Sequence, residues 1–162
     1  MLRVGIVTVS DRSSRGLRED AAGPALTDLL TSTGGMDVRW RAIVPDEESE
    51  IEAVLISWAD EEGADLILTT GGTGLSPRDI TPEATSAVIQ RTVPGMAEAM
   101  RAESLLKTPH AMISRAVVGV RGKTLIINLP GSPKGAVENL KVVLPALQHA
   151  IEKIQGDLSD CA

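Results

Sequence analysis

The chain has 162 residues, 43% of them hydrophobic, with two Trp and neither Phe nor Tyr. That length and apolar content fit one domain with a sizeable aliphatic core and exclude a disordered chain. A net charge of −6 and the shortage of aromatic rings argue against a nucleic-acid surface, base stacking and a polybasic membrane face.

The first strand is expected over residues 4–9 and a helix over 23–33, with Leu26, Leu29 and Leu30 on one side. A second strand follows at 38–44. Residues 47–62 read as a helix, because Ile51, Val54, Leu55 and Trp58 recur at i, i+3, i+4 and i+7. The aliphatic run 65–69 reads as a buried third strand. Helices are expected at 82–90 and 95–106, where Pro82 and Pro94 suit first-turn positions and Thr81 suits an N-cap. Met96, Met100 and Leu105 on the second of these make either an interface patch or core. Residues 115–120 and 123–128 read as an antiparallel pair turned at Arg121-Gly122. Residues 133–155 carry Val137, Leu140, Leu144, Leu147, Ile151 and Ile154 on one helical stripe. Pro145 within it predicts a kink or the start of a second helix.

Alternating strands and helices predict an α/β fold: a three-layer α/β/α sandwich around a mostly parallel, mixed sheet. The domain is expected over 1–156, with 157–162 a C-terminal tail. Ligands of such sheets bind outside the carboxyl ends of the strands. Four loops leave those ends: Ser10-Asp11-Arg12, Pro45-Asp46-Glu47, Thr70 to Asp79, and Leu129-Pro130-Gly131-Ser132. Parallel strands would gather all four on one rim.

The loop Thr70-Gly71-Gly72-Thr73-Gly74 matches neither Gly-x-x-x-x-Gly-Lys-[Ser/Thr] nor Gly-x-Gly-x-x-Gly. Glycines let main chain approach a bulky ligand and turn N–H groups toward it, and a helix N-terminus nearby suits a phosphate. The plainer reading is a tight strand-to-helix turn. Asp46 stands before a helix, as an N-cap would, and at a strand end, where a hard carboxylate could hold Mg2+ beside nucleotide phosphates. Asp79 precedes Thr81-Pro82, which can cap without it, so a functional role is favoured. Arg78 either counters ligand charge or lies on the surface. Asp11-Arg12, with Arg15 and Arg18, reads as solvated turn sequence or a guanidinium patch. Ser114-Arg115 is a turn or an anion site. Asn128-Leu129-Pro130-Gly131-Ser132-Pro133 is a rigid turn whose Ser132 and free amides could take a second phosphate.

His110 reads as a loop residue, and His149 and Cys161 as surface groups; one cysteine gives no internal disulfide or multi-Cys zinc site. The start of the chain shows no signal-peptide pattern and no apolar run spans a bilayer, so a cytoplasmic location is expected.

In order along the chain, Thr8-Val9-Ser10-Asp11, Val44-Pro45-Asp46-Glu47, Thr69 to Gly74, Pro77-Arg78-Asp79-Ile80-Thr81-Pro82-Glu83-Ala84 and Asn128 to Pro133 resemble the molybdopterin adenylyltransferase family. Ala111-Met112-Ile113-Ser114-Arg115 looks especially like the plant domain. The likeness spans roughly residues 3–156. It implies an α/β/α fold, a homotrimer, and adenylylation of molybdopterin by ATP with Mg2+, releasing pyrophosphate. It assigns Asp46 to Mg2+ and adenylyl transfer, Asp79 to pterin handling and turnover, Gly71–Gly74 to phosphate and pterin, Ser114 to pterin, and Asn128–Ser132 to the nucleotide. The substrate-binding set also takes in Ser10, Asp11, Thr70, Arg78, Arg115, Pro130 and Gly131. A separate molybdenum-insertion protein is an implied partner. Two other functions fit the same fold: a non-catalytic molybdopterin carrier, and a nucleotide hydrolase.

Overall fold

The computed structural model describes residues 1–161. Six strands form one sheet: β1 (Leu2–Val9), β2 (Met36–Val44), β3 (Leu66–Thr70), β4 (Arg91–Thr92), β5 (Val118–Arg121) and β6 (Thr124–Leu129). Their order is β2-β1-β3-β6-β5-β4. Parallel ladders join β2 to β1, β1 to β3 and β3 to β6, whereas β5 runs antiparallel to β6 and β4 antiparallel to β5. The sheet is therefore mixed and mostly parallel, as expected.

Period-2 side-chain alternation splits the core in two. Val4, Ile6, Leu66, Leu68, Leu125 and Ile127 point to one face. There they meet α2 (Ala22–Thr33), α5 (Pro94–Leu105) and α6 (Pro133–Ile154). Val7, Val9, Ile67 and Ile126 point to the other face, against α3 (Glu48–Ile56) and α4 (Thr81–Val88). β3 is buried along its whole length, which explains its uninterrupted aliphatic sequence. The result is the α/β/α sandwich.

Several local expectations are corrected. The helix expected over 47–62 is α3 followed by a π-helical turn, Ser57–Glu61, in which Trp58 packs 6.3 Å from Trp40. Thr81 is not the N-cap of α4 but its first residue; Ile80 holds the cap position, and the Thr81 hydroxyl is used elsewhere. Pro145 starts no second helix: α6 runs unbroken for 22 residues. Packing of Leu140, Val143, Leu147 and Ile151 against the sheet outweighs the loss of one intrahelical bond. Met100 is core, Met96 packs partly against it and Leu105 is exposed, so the three do not form one patch. The strand expected at 115–120 begins only at Val118, because Arg115 turns back toward the glycine loop. Short elements carrying no periodicity went unforeseen: α1 (Asp11–Ser14), β4, and a 3₁₀ turn at Pro109–Ile113.

Candidate active site

Because β1, β2, β3 and β6 are parallel, their carboxyl ends lie on one edge, and the four expected loops meet there. The loop after β3 sits at the centre. Gly71 and Gly72 have φ of +102° and +68°, a region closed to most side chains. A Cβ on Gly71 would lie 2.3 Å from the Val9 carbonyl oxygen. One on Gly72 would lie 2.3 Å from Thr81 Oγ1 and 3.1 Å from Asp46 Oδ1.

The loop's carbonyls are claimed by the rest of the chain. Gly71 O accepts from the Thr81 hydroxyl (2.9 Å) and Gly72 O from the Thr81 N–H (3.1 Å). Thr73 O accepts from the Arg115 N–H (2.9 Å) and Gly74 O from Arg115 Nε (2.8 Å). The N–H groups of Gly72, Thr73 and Gly74 have no acceptor among the described residues. Tying down carbonyls while leaving adjacent amides free makes a cradle for an anion.

Two cavities flank this cradle. One, of about 290 Å³, is lined by Ser10, Asp46, Thr70, Gly71, Gly72 and Asp79, with Gly131 and Ser132 closing it. The other, of about 300 Å³, is lined by Thr73, Gly74, Ser114, Pro130 and again Ser132. Ser132 caps α6 by accepting from the Gly135 N–H (3.1 Å), which places that helix N-terminus at the junction of the two.

Asp46 is half-buried and is not a helix cap: Glu47 holds that position before α3. Its Oδ2 accepts from the Asp11 N–H (2.8 Å), and its own N–H donates to Asp11 Oδ1 (3.0 Å). Burial first, then the nearby Asp11 and Asp79 carboxylates, push its pKa above the usual aspartate range; the Asp11 N–H and the Arg78 charge oppose that rise without cancelling it. Asp79 Oδ2 accepts from the Ser76 N–H (3.0 Å) and lies against Gly74. The two carboxylates thus face one hollow from different loops.

Four of the expected contact residues line neither cavity. Arg78 is spent on carboxylates, Asp11 at 3.0 Å and Glu47 at 2.8 Å. Asp11 binds Arg78 and Asp46, and its pKa is lowered first by the Arg78 hydrogen bonds. Arg115 donates to Gly74 O and Asp79 O and pairs with Glu83, so it braces the glycine loop from behind. Asn128 is fully buried; its Oδ1 accepts from the Val117 N–H and its Nδ2 donates to the hydroxyls of Thr69 and Thr85.

Sequence reasoning missed other lining groups. Thr8 and Asp20 border the first cavity; Arg101, Lys107 and Asn139 border the second. Thr8 opens the Thr8-Val9-Ser10-Asp11 motif without having been expected to contact a ligand; nothing in the local sequence of the other four marks them. Arg101 and Asn139 sit on helices and reach the rim only through the packing of α5 on α6.

A family model described as "Probable molybdopterin binding domain" matches residues 5–149. The chain belongs to that family. Within it, a protein of Helicobacter pylori strain J99 named molybdopterin adenylyltransferase is 44% identical over 158 residues, spanning 96% of this chain and 89% of that protein. The protein of the same name from Escherichia coli K12 is 46% identical over 147 residues, 90% of this chain and 75% of that one. The solved structure of the molybdopterin biosynthesis enzyme MoaB from Thermus thermophilus superposes with a TM-score of 0.92 at 56% identity, covering 97% of this chain and 98% of that one. Among the described residues, no helix is long and apolar enough to cross a membrane.

Proposed function

We propose that this chain is a molybdopterin adenylyltransferase that transfers AMP from ATP to molybdopterin in molybdenum cofactor biosynthesis. The observation that carries the reading is the pair of cavities joined across one amide cradle, with Asp46 and Asp79 in the same hollow. Two adjoining sites suit a reaction that must bring two phosphate-bearing substrates together. The likeness to two curated molybdopterin adenylyltransferases over most of their length supports the choice of substrates.

In this reading the adenylyl donor occupies the Asp46 cavity and the pterin the Ser114 cavity. An oxygen of molybdopterin's terminal phosphate bonds to the α-phosphorus of ATP as the bond from that phosphorus to the bridging oxygen breaks, and pyrophosphate leaves. No protein nucleophile is required. The barrier is mainly the repulsion of two polyanions, so positioning and charge neutralisation supply the catalysis. The free amides of Gly72, Thr73 and Gly74 and the α6 N-terminus hold phosphate oxygens in line.

Asp46 suits Mg2+: it is a hard oxygen donor with Oδ2 bonded to an N–H and Oδ1 unclaimed on the Gly72 side. No group of three or more His, Cys, Asp or Glu side chains among the described residues is arranged to hold a metal unaided. That matches an ion held by one or two carboxylates together with substrate phosphates. When bound, Mg2+ supplies Lewis-acid charge neutralisation at the phosphates. The reading also carries a homotrimer and a cytoplasmic setting, the former checked by light scattering.

The test is pyrophosphate release from purified protein. Release that needs ATP, Mg2+ and molybdopterin together, with a product heavier than molybdopterin by one AMP, is expected. Nucleotide cleavage without the pterin would make the protein a hydrolase, and pterin binding without any turnover would make it a carrier.

A further inference from the structure

The Asp11 and Asp46 loops are bound reciprocally, each backbone N–H donating to the other's carboxylate across 35 residues of sequence. Arg78, on the exit of the glycine loop, closes the arrangement. Its Nε and Nη2 donate to the two oxygens of Asp11, both at 3.0 Å, and Nη2 also reaches Glu47 Oε1 at 2.8 Å. One guanidinium therefore ties together the loops after β1, β2 and β3, and Asp46 sits at their meeting point. A planar fork on a carboxylate fixes direction as well as distance.

We propose that Asp11 and Arg78 are positioning residues for Asp46, holding it so that Oδ2 is engaged by the Asp11 N–H while Oδ1 is presented to the cavity. The proposal rests on the adenylyltransferase reading for its chemistry. Neither residue lines either cavity, and the charged groups of both are engaged with each other and with the neighbouring loops. The Arg78 side chain is 53% exposed, and an exposed ion pair contributes little to stability. Its effect is therefore on the geometry of Asp46. Outer-shell partners of metal-holding carboxylates act this way, and their loss costs roughly 10- to 100-fold in metal affinity or activity.

Arg78→Ala, Asp11→Ala and their double variant are compared with wild type, with Asp11→Asn as the conservative control. Mg2+-dependent ATP binding is measured by calorimetry, and kcat and KM for molybdopterin by pyrophosphate release. Each Ala variant is expected to weaken the Mg2+ dependence of ATP binding and lower kcat about 10-fold, with KM for molybdopterin unchanged. Tm is expected to stay near wild type in Arg78→Ala and to fall in Asp11→Ala, which also removes the acceptor of the Asp46 N–H. The double variant is expected to be no worse than the weaker single, because the two residues act as one device. Asp11→Asn keeps an acceptor for the Asp46 N–H and is expected to recover part of the loss. Wild-type Mg2+-ATP affinity and kcat in variants with a lowered Tm would overturn the proposal, as would additive losses. If wild type binds Mg2+-ATP yet releases no pyrophosphate, the functional reading falls, and the binding data alone decide the proposal. If wild-type ATP binding does not depend on Mg2+, the proposal falls.

Discussion

The Asp46 carboxylate costs the fold stability where it stands. Its folded pKa is raised, so the folded chain holds that proton more tightly than the unfolded chain does. The resulting stabilisation is full at low pH, below the unfolded value of about 3.9, and is lost as pH rises through the folded value. At neutral pH the ionised carboxylate is a net burden on the fold. Asp46→Asn removes the charge but keeps an oxygen to accept from the Asp11 N–H. Thermal melts at pH 7 without metal are expected to show a Tm at or above wild type, alongside a fall in turnover far larger than any change in pterin affinity. A clearly lowered Tm would show instead that the carboxylate serves the fold. The Asp46 motif was legible in sequence as a choice between helix cap and metal ligand; the fold removes the first reading, by giving the cap position to Glu47.

Among the elements, β6 and the segment leading into β5 are locked by Asn128. The amide joins the Val117 N–H, Thr69 on β3 and Thr85 on α4, and no buried side-chain polar atom among the described residues lacks a partner. Asn128→Ala strands all three groups in the interior, at roughly 1–3 kcal/mol for each that cannot find a new partner. Urea unfolding is expected to show a lower midpoint with an unchanged slope, a loss on the order of 3 kcal/mol. A variant as stable as wild type but unable to bind ATP would return Asn128 to direct contact with the nucleotide. Sequence alone placed this residue at the end of a strand, opening the turn on the rim; Asn128 lies instead within β6, one residue short of its end, and is buried. It could not show which face of β6 the side chain takes, because a strand's outward and inward positions are distinguishable only when one of them meets water. Here both are buried. The same limit hid Arg101 and Asn139, whose roles depend on how two helices cross rather than on any spacing within either one.

Across the whole molecule, the parallel register of β1, β2, β3 and β6 does most to make a site. It brings residues from positions 10, 46, 70–79 and 131–132 to one edge of the sheet. This was legible because strand–helix alternation leaves few other topologies for a chain of this length. What escaped was the division of the rim into two cavities, which follows from the glycine loop rising between them and from Arg115 bracing it. The central claim is that those cavities hold the two substrates on either side of that loop. A crystal structure of Asp46→Asn with ATP, Mg2+ and molybdopterin tests it most directly. The α-phosphorus is expected over Gly71 and Gly72, facing residue 46, with the pterin beside Ser114 and its terminal phosphate directed at that phosphorus. Both ligands found in one cavity, or an α-phosphorus turned away from residue 46, would contradict it.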